Sequence, residues 1–214
     1  MDILRKEAQR FAVEESAYPE PSLYGTTDGK AVGTYLEHKF QAHLSLLYNY
    51  NAGNSAKGID FPTLGVDIKV TSIEQPQSSS PFKAARQKIF GLGYGLLVFV
   101  YRKRDNPATK TATLNILHVI FVEKEQAADF QMTSGIAEIL AQKNNRGAVD
   151  DLVAFMQDKN LPVDDIEVRK IAKDILKRPP ALGYLTISNA LQWRLQYTRV
   201  IAEAGKVAGI IRVK

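Results

Sequence analysis

The chain has 214 residues, of which 45% are hydrophobic and 24% charged, so it is expected to bury a core as one domain, or one domain with an appendage, and not to be disordered. It has no cysteine, which excludes disulfides, thiolate metal sites and a cysteine nucleophile and fits a reducing, cytoplasmic location. No stretch approaches the roughly 20 apolar residues of a membrane span, and a net charge of +5 favours a polyanionic partner without identifying it.

Two helices are predicted in the first 50 residues. Apolar residues recur at helical spacing from Ile3 to Ala12, and prolines at 19 and 21 end that pattern. After a short linker, a second apolar stripe runs to Leu47, with Thr27 or Asp28 as its N-cap. A polar loop beginning near residue 49 follows this second helix.

Two short β patterns come next, at 58–61 and 65–72, with turn residues between them. This arrangement predicts a hairpin. Within the second pattern the residues alternate, so Asp67 and Lys69 are expected on the face opposite Val66 and Ile68.

The rest of the chain predicts further strands and helices. A loop at 75–81 and a short basic helix at 82–90 lead to strands at 94–103 and 111–123, and residues 125–178 are mostly helical in pattern, with breaks near Gly147 and Pro162. Ser188 is the expected N-cap of a helix at 189–204, and a terminal strand follows. This order of elements indicates a mixed α/β fold around one central sheet.

Four charged residues form the strongest candidate for a chemical site: Glu37, Asp60, Asp67 and Lys69. Two carboxylates on paired strands can converge on one divalent cation, and hard oxygen ligands suit Mg²⁺. Lys69 is expected on the same side as Asp67, where a cation can hold a water nucleophile and offset negative charge on a phosphate. Glu37 lies at the edge of its helix's apolar stripe and can face the sheet.

Each of these residues also has an ordinary structural explanation. An Asp-x-Lys strand is what a half-exposed strand looks like. Asp60 can stabilise a turn through its own local hydrogen bonds, and Glu37 can be a solvated helix residue. The site is favoured because the residues occur in the required order on the required kinds of element.

The stretch GIDFPTLGVDIKVTS (58–72) resembles the PD-(D/E)XK nuclease signature, and GTYLEHKFQ (33–41), which carries Glu37, is similar to the segment bearing an accessory acid in many type II restriction endonucleases. Ile59 replaces the usual proline, and the gap to Asp67 is short, so a tight turn is required. The resemblance implies a restriction-endonuclease-like core, a central mixed sheet flanked by helices, at about 28–123. Residues 124–214 would then be a helical C-terminal extension for dimerisation and DNA recognition, all within a single nuclease domain, 1–214.

The same resemblance assigns the site. It implies that Asp60 and Asp67 bind Mg²⁺, with the Ile68 carbonyl as a third ligand and Glu37 as an additional acid that can also reach the metal. Lys69 is then the catalytic lysine. The reaction is hydrolysis of DNA phosphodiester bonds by a homodimer acting on double-stranded DNA, and a cognate DNA methyltransferase acts on the same site without needing to bind the enzyme.

Two segments are candidates for DNA binding. Between 83 and 110, seven basic residues face a single acid, Asp105, and Lys83, Arg86 and Lys88 are expected to contact phosphates. The alternative is a solvated helix face and a charged strand end. The predicted helix 189–204 carries polar side chains that can contact bases or that simply form its exposed face; these are Asn189, Gln192, Arg194, Gln196 and Arg199.

The leading hypothesis is therefore a Mg²⁺-dependent, sequence-specific type II restriction endonuclease. A DNA repair or junction-resolving nuclease of the same fold is the first alternative. The second is a DNA-binding protein without catalysis, in which the Asp-x-Lys strand is incidental.

Overall fold

A computed structural model describes residues 1–50, 58–80, 83–143, 148–188 and 193–214. They form two compact units. Unit 1 comprises residues 1–78, 95–122 and 200–214, and unit 2 comprises residues 79–94 and 123–199. Most of the predicted core, 28–123, lies in unit 1, which also includes the N-terminal helix and the C-terminal segment. A single nuclease domain over the whole chain stays a prediction.

The helices are α1 (Asp2–Ser16), α2 (Gly29–Leu47), α3 (Gln87–Phe90), α4 (Phe130–Lys143), α5 (Ala148–Asp158), α6 (Asp165–Lys177) and α7 (Thr198–Glu203). The strands are β1 (Val66–Ser72), β2 (Gln77–Ser80), β3 (Gly95–Asn106), β4 (Thr111–Val122), β5 (Thr186–Ile187), β6 (Trp193–Gln196) and β7 (Ile210–Arg212). The N-cap of α2 is Asp28, whose side chain accepts a hydrogen bond from the Lys30 N–H at 2.9 Å. No described helix has the length and apolar character to cross a membrane.

The central sheet of unit 1 has the strand order β1-β3-β4-β7. Strand β1 pairs parallel with β3, whereas β3–β4 and β4–β7 pair antiparallel. The sheet is therefore mixed, as predicted. Lys214 links α1 to β4. Its Nζ donates to the Ile116 carbonyl of β4 at 2.6 Å and to the Ser16 hydroxyl of α1 at 3.2 Å.

Helices α1 and α2 pack on this sheet through a shared apolar core. The rings of Phe11 and Phe99 each lie 5.2 Å, centroid to centroid, from the ring of Phe40, which is fully buried. Val66 and Ile68 of β1 belong to the same cluster. Since successive residues of a strand point to opposite faces, this burial directs Asp67 and Lys69 to the other face.

Unit 2 has its own core, which α4, α5 and α6 share with Ile89 of α3. The predicted helices between 125 and 178 are confirmed, and the Asp164 side chain caps α6 by accepting from the Glu167 N–H at 2.7 Å. The predicted break near Gly147 lies outside the described residues, and the break near Pro162 falls between α5 and α6.

Four predicted elements differ from the structure. Residues 58–61 form only an isolated bridge, Phe61 with Val66, because the Ile68 N–H that would continue the pairing is donated to the Asp60 side chain. The predicted loop at 75–81 contains β2, and the predicted helix 82–90 is reduced to α3. The predicted helix 189–204 is wrong, since its described part consists of β6 and α7. Consequently the segment 124–214 is not wholly helical.

Phe40→Ala should lower the free energy of unfolding by about 3–5 kcal/mol, because it leaves a cavity where two rings and the sheet meet. Leu46→Ala on the same helix is the control: Leu46 is 87% exposed, so its truncation should change stability by less than about 0.5 kcal/mol. Urea unfolding followed by circular dichroism measures both. Equal effects of the two substitutions would contradict the packing described.

Candidate active site

Asp67 lies on β1 with only 5% of its surface exposed. Its neighbours in the strand, Val66 and Ile68, enter the apolar core, so its carboxylate lies on the other face of the sheet. In the parallel pairing Asp67 lies opposite Leu96 of β3. The regular strand pairing therefore fixes the position of this buried acid.

Asp60 is brought to β1 by a tight turn. The Leu64 N–H donates to the Phe61 carbonyl at 3.1 Å, and Gly65 has a φ of +61°, a left-handed conformation that glycine adopts without strain. Asp60 Oδ2 then accepts the Ile68 N–H of β1 at 2.7 Å. The short gap between the two aspartates is thus closed by the turn that the sequence required.

The two aspartates lie within hydrogen-bonding range of each other. Burial raises the pKa of Asp67 to about 6, and contact with Asp60 adds to the rise, while the Lys69 cation opposes it. Burial also raises the pKa of Asp60, with the neighbouring Glu37 carboxylate contributing, against hydrogen bonds from Asp67 and the Ile68 N–H. Negative charge is therefore concentrated in a site with little access to water.

Lys69 supplies the positive charge of this cluster. Its Nζ lies 2.6 Å from Asp67 Oδ2, and 18% of the lysine side chain is exposed. Residues two apart on a strand share a face, so β1 itself places the cation beside the acid. The ammonium group is held at the site and is still accessible from solvent.

Helix α2 contributes Glu37 and Gln41, which are four residues apart and hence on one side of the helix. Gln41 Nε2 donates to Asp60 Oδ1 at 3.2 Å, and Glu37 interacts with the same carboxyl group. Gln41 was missed from the sequence, although its spacing from Glu37 was a usable signal. All four predicted residues, Glu37, Asp60, Asp67 and Lys69, are brought together.

The donor set suits a hard divalent cation. Asp60 and Asp67 offer carboxylate oxygens and Ile68 a backbone carbonyl, which is the chemistry that Mg²⁺ prefers. Among the described residues no three His, Cys, Asp or Glu side chains are arranged to hold a metal ion. A metal here would therefore depend on two carboxylates completed by backbone or water oxygens. A buried carboxyl beside a half-buried one, both with raised pKa values, is the environment that such a cation would relieve.

The three basic residues predicted near α3 have different surroundings. Lys83 is exposed. Arg86 makes ion pairs with Glu167 at 2.7 Å and Asp174 at 2.8 Å, so its charge is already neutralised within unit 2. Lys88 is only 4% exposed and interacts with Asp129, which corrects the expectation of a surface lysine. Burial lowers the pKa of Lys88, and Asp129 opposes that shift.

The DNA-binding candidates near the C-terminus also differ in their surroundings. Asn189 and Gln192 lie outside the described residues. Arg194 is exposed on β6, and its position on a strand corrects the predicted helix. The Arg199 guanidinium stacks 3.6 Å from the centroid of the Phe130 ring, and its Nε is buried without a hydrogen-bond partner among the described residues.

A mixed sheet whose edge strand carries Asp67 and Lys69, with Asp60 joined to that strand, is consistent with a restriction-endonuclease-like core. A family model for the type II restriction enzyme NspV matches residues 1–212. The type II restriction enzyme NspV of Nostoc sp. (strain ATCC 29411 / PCC 7524) is 63% identical over 213 residues, which cover 100% of this chain and 96% of the relative. The chain belongs to the NspV family of type II restriction enzymes and is a site-specific deoxyribonuclease. No solved structure matches it.

The leading hypothesis from the sequence is thereby confirmed at the level of enzyme class. Two alternatives were predicted from the sequence: a repair or junction-resolving nuclease, and a DNA-binding protein without catalysis. Membership of a restriction enzyme family over the full chain does not favour either of them. The roles of the individual site residues stay predictions.

Asp67→Asn should stabilise the metal-free protein at pH 8 by about 1–3 kcal/mol, because it removes a buried charge beside Asp60. Since the folded-state pKa of Asp67 is raised, its destabilising effect is absent at low pH and develops as the pH rises through about 6. The gain should therefore shrink between pH 8 and pH 5. Urea unfolding in EDTA measures it.

Asp158→Asn is the matched control, because Asp158 is an exposed acid in a surface ion pair with Lys159 at 3.4 Å. It should change stability by less than about 0.5 kcal/mol at either pH. A loss of stability in Asp67→Asn at pH 8 would contradict the account of the buried carboxyl pair.

Proposed function

We propose that the protein is a Mg²⁺-dependent endonuclease that hydrolyses phosphodiester bonds in both strands of DNA at a specific sequence. The observation that carries this proposal is the joining of Asp60 to β1 beside the Asp67–Lys69 pair, at 2.7 Å and 2.6 Å respectively. Carboxylates and a lysine on one strand edge supply the groups that phosphodiester hydrolysis by water requires. The host DNA would be protected by a methyltransferase acting on the same sequence.

The metal would be held by Asp60, Asp67 and the Ile68 carbonyl, with Glu37 as an additional acid near Asp60. When bound, Mg²⁺ would polarise a phosphate oxygen and lower the pKa of a bound water. Asp60 is oriented for this role from two sides, because Gln41 donates to one carboxylate oxygen and the Ile68 N–H to the other. These contacts hold the carboxylate in one orientation before any ligand arrives.

Lys69 is proposed as the catalytic lysine. Its ammonium group, held against Asp67, can donate a hydrogen bond to the attacking water and offset the negative charge that develops on the phosphate. Asp67 keeps the lysine side chain at the site through the ion pair. No covalent enzyme intermediate is needed, since water attacks the phosphorus directly.

DNA binding is proposed for the exposed basic residues among the original candidates. Lys83 and Arg194 are exposed, and Arg199 is partly exposed while its guanidinium stacks on Phe130. A base-contacting role for Gln192 rests on the sequence alone. Arg86 and Lys88 are better explained by structural roles, given the two ion pairs of Arg86 and the burial of Lys88.

Plasmid DNA incubated with the protein and Mg²⁺ should give discrete fragments on an agarose gel, and EDTA should abolish cutting. Lys69→Met should lower the cleavage rate at least about 100-fold, because one charge-stabilising group is typically worth that much. Lys170→Met removes an exposed lysine of α6 and should cut at the wild-type rate. Random nicking, or equal rates for both variants, would contradict the proposal.

A homodimer is proposed because a symmetric double-strand break uses one catalytic centre twice. Sedimentation velocity of the protein alone and with a duplex containing the mapped cleavage site should therefore give the mass of two chains, 23.8 kDa each. Cutting of supercoiled plasmid should yield linear product with little nicked intermediate. A monomer that accumulates nicked circles would contradict this assembly.

A further inference from the structure

The small three-stranded sheet has the strand order β2-β6-β5, and its exposed face carries polar side chains. In the antiparallel pairing of β5 with β6, Thr186 lies opposite Gln196 and Ile187 opposite Leu195. Ile187 and Leu195 are buried, whereas Arg194 and Gln196 are exposed. The alternation of burial thus presents an arginine and a glutamine on one face of β6.

The backbone that presents these two side chains is held by two hydrogen bonds between Arg194 and Ser188. The Ser188 N–H donates to the Arg194 carbonyl at 3.1 Å, and the Arg194 N–H donates to Ser188 Oγ at 2.9 Å. Beneath the strand, Trp193 and Tyr197 are buried. Both side chains therefore extend from an anchored strand instead of a loop.

The charge of this face fits a polyanion. The three strands of this sheet, Gln77–Ser80, Thr186–Ile187 and Trp193–Gln196, contain one arginine and no Asp or Glu. Arg194 makes no ion pair among the described residues, in contrast with Arg86. On β2, Ser79 is exposed and Ser80 is buried. The exposed surface of this strand therefore carries an uncharged hydroxyl group. An arginine that is exposed and not neutralised is available to a ligand.

We propose that this face reads DNA bases, with Arg194 contacting a guanine and Gln196 an adenine. Arginine can donate two hydrogen bonds to guanine O6 and N7, and glutamine can pair with adenine N6 and N7. Side chains two residues apart on a strand are separated by about 6.6–6.8 Å, close to two base-pair steps of about 3.4 Å each. A β-ribbon also fits the major groove, as strand-based DNA readers demonstrate.

This inference rests on the proposed function, since it requires a duplex DNA substrate. It goes beyond that function by assigning base readout to particular residues. The alternative is that this face binds a protein partner. The lack of acids and the arginine–glutamine pair do not favour a protein over DNA.

The test uses base analogues in short duplexes that carry the site mapped from fragment ends. Replacing each guanine in turn by 7-deazaguanine, or each adenine by 7-deazaadenine, exchanges the N7 acceptor for a C–H group and keeps the O6 or N6 group. For the wild-type enzyme, one 7-deazaguanine position should lower kcat/KM about 10-fold or more. Arg194→Ala should lower kcat/KM on the unmodified duplex about 10- to 100-fold and be insensitive to the analogue at that same position.

Gln196→Ala should behave in the same way towards one 7-deazaadenine position. Arg178→Ala, which removes an exposed arginine of unit 2 outside this sheet, is the matched control and should keep wild-type sensitivity to every analogue. Equal thermal unfolding midpoints would show that the variants remain folded.

The inference is overturned if Arg194→Ala cuts as fast as wild type, if it keeps wild-type sensitivity at every analogue position, or if the mapped site contains no guanine. Unchanged cutting is also the result expected of a surface that binds a protein partner. Failure of the proposed function is distinct, because the wild-type enzyme would then cut no duplex before any variant is compared.

Discussion

The parallel pairing of β1 with β3 is the constraint on which the site depends. It buries Val66 and Ile68 among the apolar residues beneath α1 and α2, so the residues between and after them must face the other way. A register shift of one residue would put Asp67 into the apolar core, at a cost that no pairing could offset. Because β1 is an edge strand, the Ile68 N–H is also available to Asp60. The pairing that positions β1 therefore also positions the residue that binds Asp60.

The cluster around Asp67 opposes folding of the sheet that carries it. A buried acid next to a second acid opposes folding, and Lys69 offsets it only in part, as the raised pKa of Asp67 indicates. The aromatic cluster around Phe40 on the opposite face provides stabilisation that does not depend on the charges. This division would let the proposed divalent-cation site be preorganised without weakening the core that holds it.

Local patterns predicted the parts of the molecule that depend on neighbours in sequence. Alternation identified β1 and the face of Asp67, and the turn at 62–65 followed from its proline and glycine. The segment 193–197 also alternates strictly, but widely spaced leucines and Val200 suggested a helix instead, and the strand was missed. Distant partners were out of reach: Arg86 finds Glu167 81 residues later, and nothing near Lys88 in the sequence signals that it is buried against Asp129.

Unit 1 is assembled from three separate stretches of chain, and the last of them supplies β7. The segments of unit 2, residues 79–94 and 123–199, precede residues 200–214 in the chain, so all the core residues of unit 2 are synthesised before the last stretch of unit 1. The central sheet of unit 1 is complete only when β7 pairs with β4 and Lys214 reaches Ile116 and Ser16. The order of synthesis therefore makes unit 1 the later of the two units to have its sequence completed, after α4 to α6 have been made.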